Sequence, residues 1–365
     1  MKKIGILTYH RAYSYGAKLQ AYALVKYMTS IGFQAEDIDY GDIGAEKLRK
    51  IGTKNLKDLI VTTLCYICST FSEPIRTKRF DEFLKMIPHS SIRYNKKNIA
   101  TANLEYDYFI TGSDQVWNPK YNEGDLTYLL DFVKDDSKKF SYAASFGTSI
   151  LPDNILAKYR PLLASFHKIL VRESAGQNLL KQQMGITSEI VLDPTFLIPR
   201  NHWKTIARYP FKKTAKYILS FQIIQRDPAY DVMLEHLHRL LGYEVIELRD
   251  SFRYKPWRWR TYTKAGPLEF LGFIKNAQII VTNSFHATVF SILFSKPFFC
   301  LKNSFGFNSR MTDLTNSLGL QNRMFDDSTS HPSIDEINID YKTVDNILQN
   351  KINKTKQIIE RTFAQ

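Results

Sequence analysis

Four short stretches of this chain place polar and ionisable residues directly after an apolar run, where a buried strand would end and a helix begin. Ile279-Ile280-Val281-Thr282 runs into Asn283-Ser284-Phe285-His286. Backbone N–H groups around Ser284 at such a helix start would attract an anion, and an imidazole in the first turn could move a proton beside it. A histidine there can equally be structural. Val171 leads into Arg172-Glu173-Ser174. An arginine at a strand end is either a fork for a carboxylate or phosphate or the partner of Asp193 or Glu173 in an ion pair. Thr111-Gly112-Ser113-Asp114-Gln115 would let a ligand approach the backbone. Ser113, Asp114 and Gln115 could bond sugar hydroxyls there, although Ser-Asp is also a common helix cap. The stretch Tyr9-His10-Arg11-Ala12-Tyr13-Ser14-Tyr15-Gly16 follows the first apolar run. It lacks Gly-x-Gly-x-x-Gly, so the dinucleotide fingerprint is absent, but His10, Arg11 and Tyr15 stand where a Rossmann-type unit meets its ligand.

The elements that must position these residues read as α/β. Apolar runs at Ile4 to Tyr9, Gln34 to Tyr40, Tyr106 to Thr111, Lys139 to Ala144, His167 to Arg172 and Glu189 to Leu192 are expected strands. Helical stretches such as Ala17 to Thr29 and Leu179 to Met184 separate some of them, and Lys47 to Asn98 reads as helices with mobile connections. Pro194, Pro199 and the polar residues to Lys204 suggest a boundary near 200. The pattern then restarts with strands at Tyr217 to Gln222, Tyr243 to Leu248, Gln278 to Asn283 and Pro297 to Leu301. Helices are expected at Tyr230 to Leu241, Pro267 to Asn276, His286 to Phe294, Arg310 to Leu318 and Tyr341 to Phe363. The expectation is two Rossmann-like domains facing a cleft, 1–199 and 200–340, followed by a terminal helix within 341–365.

Composition narrows the partners. A chain of 365 residues exceeds what one core usually organises, and 44% apolar with 24% charged residues is ordinary for a globular protein. The net charge of +14 favours anionic partners without choosing among them, and is compatible with a merely solvated basic surface. Cys65, Cys68 and Cys300 make no disulfide framework and are expected to be core thiols. The opening Met-Lys-Lys enters a strand at once, and the longest apolar run, Leu59 to Cys68, is about half of the ~20 residues a bilayer demands. A cytoplasmic protein is expected, with peripheral membrane contact open. Arg253-Tyr-Lys-Pro-Trp-Arg-Trp-Arg260 interleaves cations and indoles, suiting either an interfacial anchor or packing on the second domain. No clustered ligand set suggests a metal, and no nucleic-acid partner is expected.

Together these stretches resemble the polysaccharide pyruvyl transferase family over nearly the whole chain. The resemblance runs through Tyr15 to Leu24, Gly112 to Asn118, Val171 to Ser174, Leu192-Asp193-Pro194-Thr195, Asn283 to Ala287 and Lys296-Pro297-Phe298. It implies a fold like B-type glycosyltransferases, with the terminal helix crossing back to the first domain. It also implies transfer of pyruvate from phosphoenolpyruvate, a co-substrate rather than a cofactor, onto two hydroxyls of a sugar. The acceptor would be a surface-polysaccharide precursor that could be lipid-linked. By resemblance, Arg172 is the donor-binding arginine and His286 the catalytic histidine; Arg310 or Lys302 is a further basic donor contact. The chain departs from many relatives in having Ser284-Phe285 where they carry Arg-Leu. Asp114 would then orient or deprotonate the acceptor, beside His10, Arg11, Tyr15, Ser113 and Gln115. Two other readings are a nucleotide-sugar glycosyltransferase and a non-catalytic protein binding anionic polymer or lipid.

Overall fold

The structure, a computed structural model, describes residues 1–41, 71–122, 124–212, 215–223, 228–249, 259–302, 308–325 and 332–363. Its strands form two six-stranded sheets, both parallel throughout. The first holds β1 (Lys3–Leu7), β2 (Gln34–Asp37), β3 (Tyr108–Asp114), β4 (Lys139–Ala144), β5 (Leu170–Val171) and β6 (Glu189–Ile190), in the order β2-β1-β3-β4-β5-β6. The second holds β7 (Tyr217–Phe221), β8 (Glu244–Leu248), β9 (Arg260–Tyr262), β10 (Ile279–Thr282), β11 (Phe298–Leu301) and β12 (Met324–Phe325), in the order β12-β11-β10-β7-β8-β9. Strands that are apolar on both faces demand cover on both faces, and here each sheet has it. Winding reverses between β1 and β3 in one sheet and between β7 and β10 in the other. Such reversals open a crevice at the carboxyl ends of the strands, where ligands of this architecture bind.

Side-chain bonds tie the strands together at both reversals. Thr8 Oγ1 donates to the Ser113 carbonyl at 3.0 Å, and Thr282 Oγ1 to the Phe221 carbonyl at 2.6 Å. The strand expected over Tyr106 to Thr111 instead runs Tyr108–Asp114, because pairing with β4 continues to Asp114 opposite Ala144. Gly112, Ser113 and Asp114 therefore end a strand rather than start a loop. Gly112, at φ 115°, fits because a side chain there would strike the Tyr142 carbonyl. β9 and a helix over Asp153–Ala164 were not anticipated.

The two sheets share one continuous apolar core. At its centre lies the first helix, Tyr15–Ser30, capped by Ser14 and buried from Tyr15 through Val25. The Tyr15 ring stacks on Phe270 of the second domain at 4.7 Å, and its hydroxyl donates to the Ala265 carbonyl at 3.3 Å. A helix over residues 71–84 adds a polar tie: Arg79 donates to the Lys264 carbonyl at 2.7 Å and pairs with Glu269 at 3.6 Å. The terminal helix Tyr341–Phe363 begins on the second domain, where the Tyr341 hydroxyl donates to the Ser291 and Lys296 carbonyls. It ends on the first, with Phe363 against Phe33, Tyr108 and Phe140. Among the described residues no helix is long and apolar enough to cross a membrane.

Cys300 is buried and its thiol is pushed up to about 12 by burial, as suits a core thiol; Cys65 and Cys68 lie outside the described residues. Of the basic aromatic stretch 253–260, only Trp259 and Arg260 are described. Trp259 packs edge-on against His238, and the Arg260 guanidinium lies over Phe211 at 4.2 Å. Both therefore belong to the second domain's packing.

Candidate active site

Residues from both domains meet where the two crevices face each other. Arg172 leaves β5 and reaches back beneath the end of β3. Its Nη1 donates to Asp193 Oδ2 at 2.9 Å and its Nη2 to Asp114 Oδ1 at 3.1 Å, while Nε lies 3.6 Å from Glu173. From the second domain, Arg310 in the helix Ser309–Ser317 brings Nη1 to 3.6 Å from the same Asp114 oxygen. His286, in the first turn of the helix Phe285–Leu293 capped by Ser284, sets Nε2 3.5 Å from Asp193 Oδ2. The Phe285 ring lies 4.5 Å from the Arg172 guanidinium and 5.8 Å from that of Arg310. An aromatic face attracts a cation placed over it.

The opposite edge of the imidazole is sealed by backbone. A methyl group on Gly16, in the first turn of the first helix, would sit 2.0 Å from His286 Nδ1. Asp193 anchors the assembly from below. It is fully buried, and its Oδ1 accepts from the Thr195 N–H at 3.1 Å and the Thr195 hydroxyl at 2.7 Å. Ser113 Oγ donates to Asp193 Oδ2 at 3.4 Å.

Electrostatics follow from this geometry. Burial alone would raise both aspartates, but His286 and Arg172 hold Asp193 well below the usual range, and Arg172, His286 and Arg310 do the same for Asp114. Burial disfavours the Arg172 charge, yet Asp114, Asp193 and Glu173 outweigh it and raise its pKa. Arg310 is lowered by burial and by the neighbouring Arg172. Glu173 is raised by burial, which the arginines and its bond from Ser145 only partly offset. Arg172 Nε, Glu173 Oε2 and His286 Nε2 are buried without a hydrogen bond. Two of these atoms face each other across the Arg172–Glu173 ion pair, and the third faces Asp193, all at 3.5–3.6 Å, just beyond hydrogen-bond reach.

The expected residues divide. Arg172, Arg310, His286 and Asp114 converge. Ser284 caps its helix, accepting from the Ala287 N–H at 3.3 Å. Gln115 serves Arg310: with its amide oxygen turned to that guanidinium it accepts at 2.9 and 3.2 Å. Ser113 is buried beneath the cluster, bonded to Asp193 and the Ala143 carbonyl, so it supports the site rather than meeting an acceptor. The Tyr15 ring is buried in the shared core against Phe270, away from the cluster. His10 is buried and spends its nitrogens on the Thr8 carbonyl and Asp39, and Arg11 forks onto Asp39 as well, holding that carboxyl low against the effect of burial. Of the two further basic candidates, Arg310 reaches Asp114, while Lys302 follows β11 with its backbone N–H on the Phe325 carbonyl.

Phe285 and Gly16 had no site role in the sequence reading, and Asp193 entered it only as an alternative ion-pair partner of Arg172, a pair the structure contains at 2.9 Å. The Asp-x-Thr spacing signals a local turn but not a bond to His286, and nothing in a sequence says that a glycine in one domain faces a histidine in the other.

Residues 15–304 match the family model described as Polysaccharide pyruvyl transferase. No curated protein matches the sequence. Among solved structures, the chain is similar to a glycosyltransferase from Rickettsia africae ESF-5, at 13% identity and a TM-score of 0.52 over 99% of this chain and 98% of that one. It is also similar to a putative UDP-N-acetylglucosamine 2-epimerase from Listeria monocytogenes, at 10% identity and a TM-score of 0.50 over 98% and 90%. What is shared is the fold: two Rossmann-like domains in the B-type glycosyltransferase arrangement.

Proposed function

The chain belongs to the polysaccharide pyruvyl transferase family, and from that premise we propose that it transfers pyruvate from phosphoenolpyruvate onto two hydroxyls of one sugar in a surface-polysaccharide precursor. One observation carries this reading: guanidiniums from opposite domains approach a single oxygen at 3.1 and 3.6 Å, beside a histidine. A donor that carries both a carboxylate and a phosphate needs two such cations, and arginine's planar fork suits either group.

In this mechanism Arg172 and Arg310 bind the donor's anionic groups. His286 delivers a proton to the methylene carbon, leaving an oxocarbenium-like centre at the adjoining carbon. A sugar hydroxyl adds there and gives up its proton to a nearby base, for which Asp114 is the candidate. Phosphate then departs with the carbon–oxygen bond pair. The second hydroxyl closes the ketal, and its proton leaves with the phosphate. One hydroxyl proton thus replaces the proton spent on carbon. A lipid-carried acceptor at the cytoplasmic membrane face would suit the basic charge.

The test is donor dependence with an oligosaccharide acceptor panel. Phosphate release that requires phosphoenolpyruvate, with a mass gain of one pyruvate ketal on the acceptor, is expected. Turnover only with nucleotide sugars would replace this reading by the glycosyltransferase one, which the fold also accommodates.

A further inference from the structure

The site presents its arginines already neutralised. Asp114 lies against both guanidiniums, and Asp193 takes a second hydrogen bond from Arg172. A donor bearing two anionic groups gains little from cations whose charge is spent, so a carboxylate must yield. Three lie against Arg172 among the described residues, and they differ in how firmly they are held. Asp193 is wholly buried and anchored by Thr195 and Ser113. Glu173 is 3% exposed and bonded by Ser145. Asp114 is 18% exposed, and among the described residues its carboxylate meets only the two arginines. The domains share a continuous apolar core around the first helix, which disfavours wide opening of the cleft. Room for the donor must then come from a side chain.

We propose that Asp114 occupies, in the free protein, the position of one of the donor's anionic groups between Arg172 and Arg310, and that donor binding displaces it. The displaced carboxylate is then free to accept the acceptor's hydroxyl proton, so the donor binds first and its arrival releases the base. This rests on the donor reading above only for the donor's identity; the anion subsite itself does not depend on it.

Asp114→Asn separates competition from support. Asparagine keeps the shape and tolerates the left-handed backbone at φ 78°. If Asp114 competes, the variant binds anions more tightly; if it merely holds the arginines in place, the variant binds them more weakly. Binding of phosphoenolpyruvate and, separately, of inorganic phosphate is measured by calorimetry on wild type and variant. The expected result is a Kd lowered by about tenfold, as when a site open a tenth of the time becomes always open, together with turnover reduced by roughly a hundredfold. Unchanged or weaker binding of both anions overturns the proposal. If phosphoenolpyruvate binds neither protein but phosphate binds the variant more tightly, the subsite stands and the donor reading falls. Should Asp114→Asn not fold, Asp114→Gly, which the same φ accepts without strain, carries the comparison.

Discussion

At the scale of single residues, Arg172 cannot be exchanged for another cation. Its Nη1 and Nη2 serve Asp193 and Asp114 separately while Phe285 covers its face. An ammonium group is one point and cannot span both carboxylates or lie flat on a ring. Arg172→Lys is therefore expected to raise the KM for phosphoenolpyruvate at least about tenfold, a change of ~1.4 kcal/mol, and to lower Tm as well. A lowered Tm with an unchanged KM would assign Arg172 to the fold alone. Phe285 also bears on the sequence motif. Many relatives carry Arg-Leu before the histidine; in this chain the second of those two positions, Phe285, sets its ring against both arginines that are present.

At the scale of elements, the first helix does two things at once: it fills the seam between domains and presses Gly16 against His286. Alanine in place of a helical glycine ordinarily stabilises by about 1 kcal/mol. Here its methyl would overlap the imidazole, so Gly16→Ala is expected to cut turnover by roughly a hundredfold with little gain in Tm. Initial rates and a melting curve on one preparation decide it; full turnover would show that the ring yields harmlessly. Elements were the most legible part of the sequence. The helices Pro267–Asn276 and Tyr341–Phe363 were readable to the residue, the first from a proline start. The site was legible where it coincided with strand ends, as at Arg172, Asp114 and His286. It was not legible for His10, Arg11 and Tyr15, which have the right address but different partners. Asp39 takes the first two and Phe270 the third, and each partnership depends on chain folding that local pattern does not encode.

At the scale of the whole molecule, buried charge makes stability depend on pH. Asp37 ends β2 fully buried, and burial pushes its carboxyl up to about 7 despite the opposing pull of His10 and Lys18. An unfolded aspartate titrates near ~4. Between those values the folded protein keeps a proton that the unfolded chain has lost, so this group's contribution to stability falls as pH rises through the window. Asp37→Asn, which cannot titrate, is expected to gain in Tm over wild type as pH goes from about 5 to about 8. A constant difference across that range would remove Asp37 as the cause. The return of the terminal helix to the first domain has a consequence for the order in which the protein is made. Phe33, Tyr108 and Phe140 emerge early in synthesis, yet the ring that covers them, Phe363, follows only after the whole second domain. At roughly 5–20 residues per second, the first domain waits on the ribosome for roughly ten seconds or more with an aromatic patch uncovered. That interval is when a chaperone would find it.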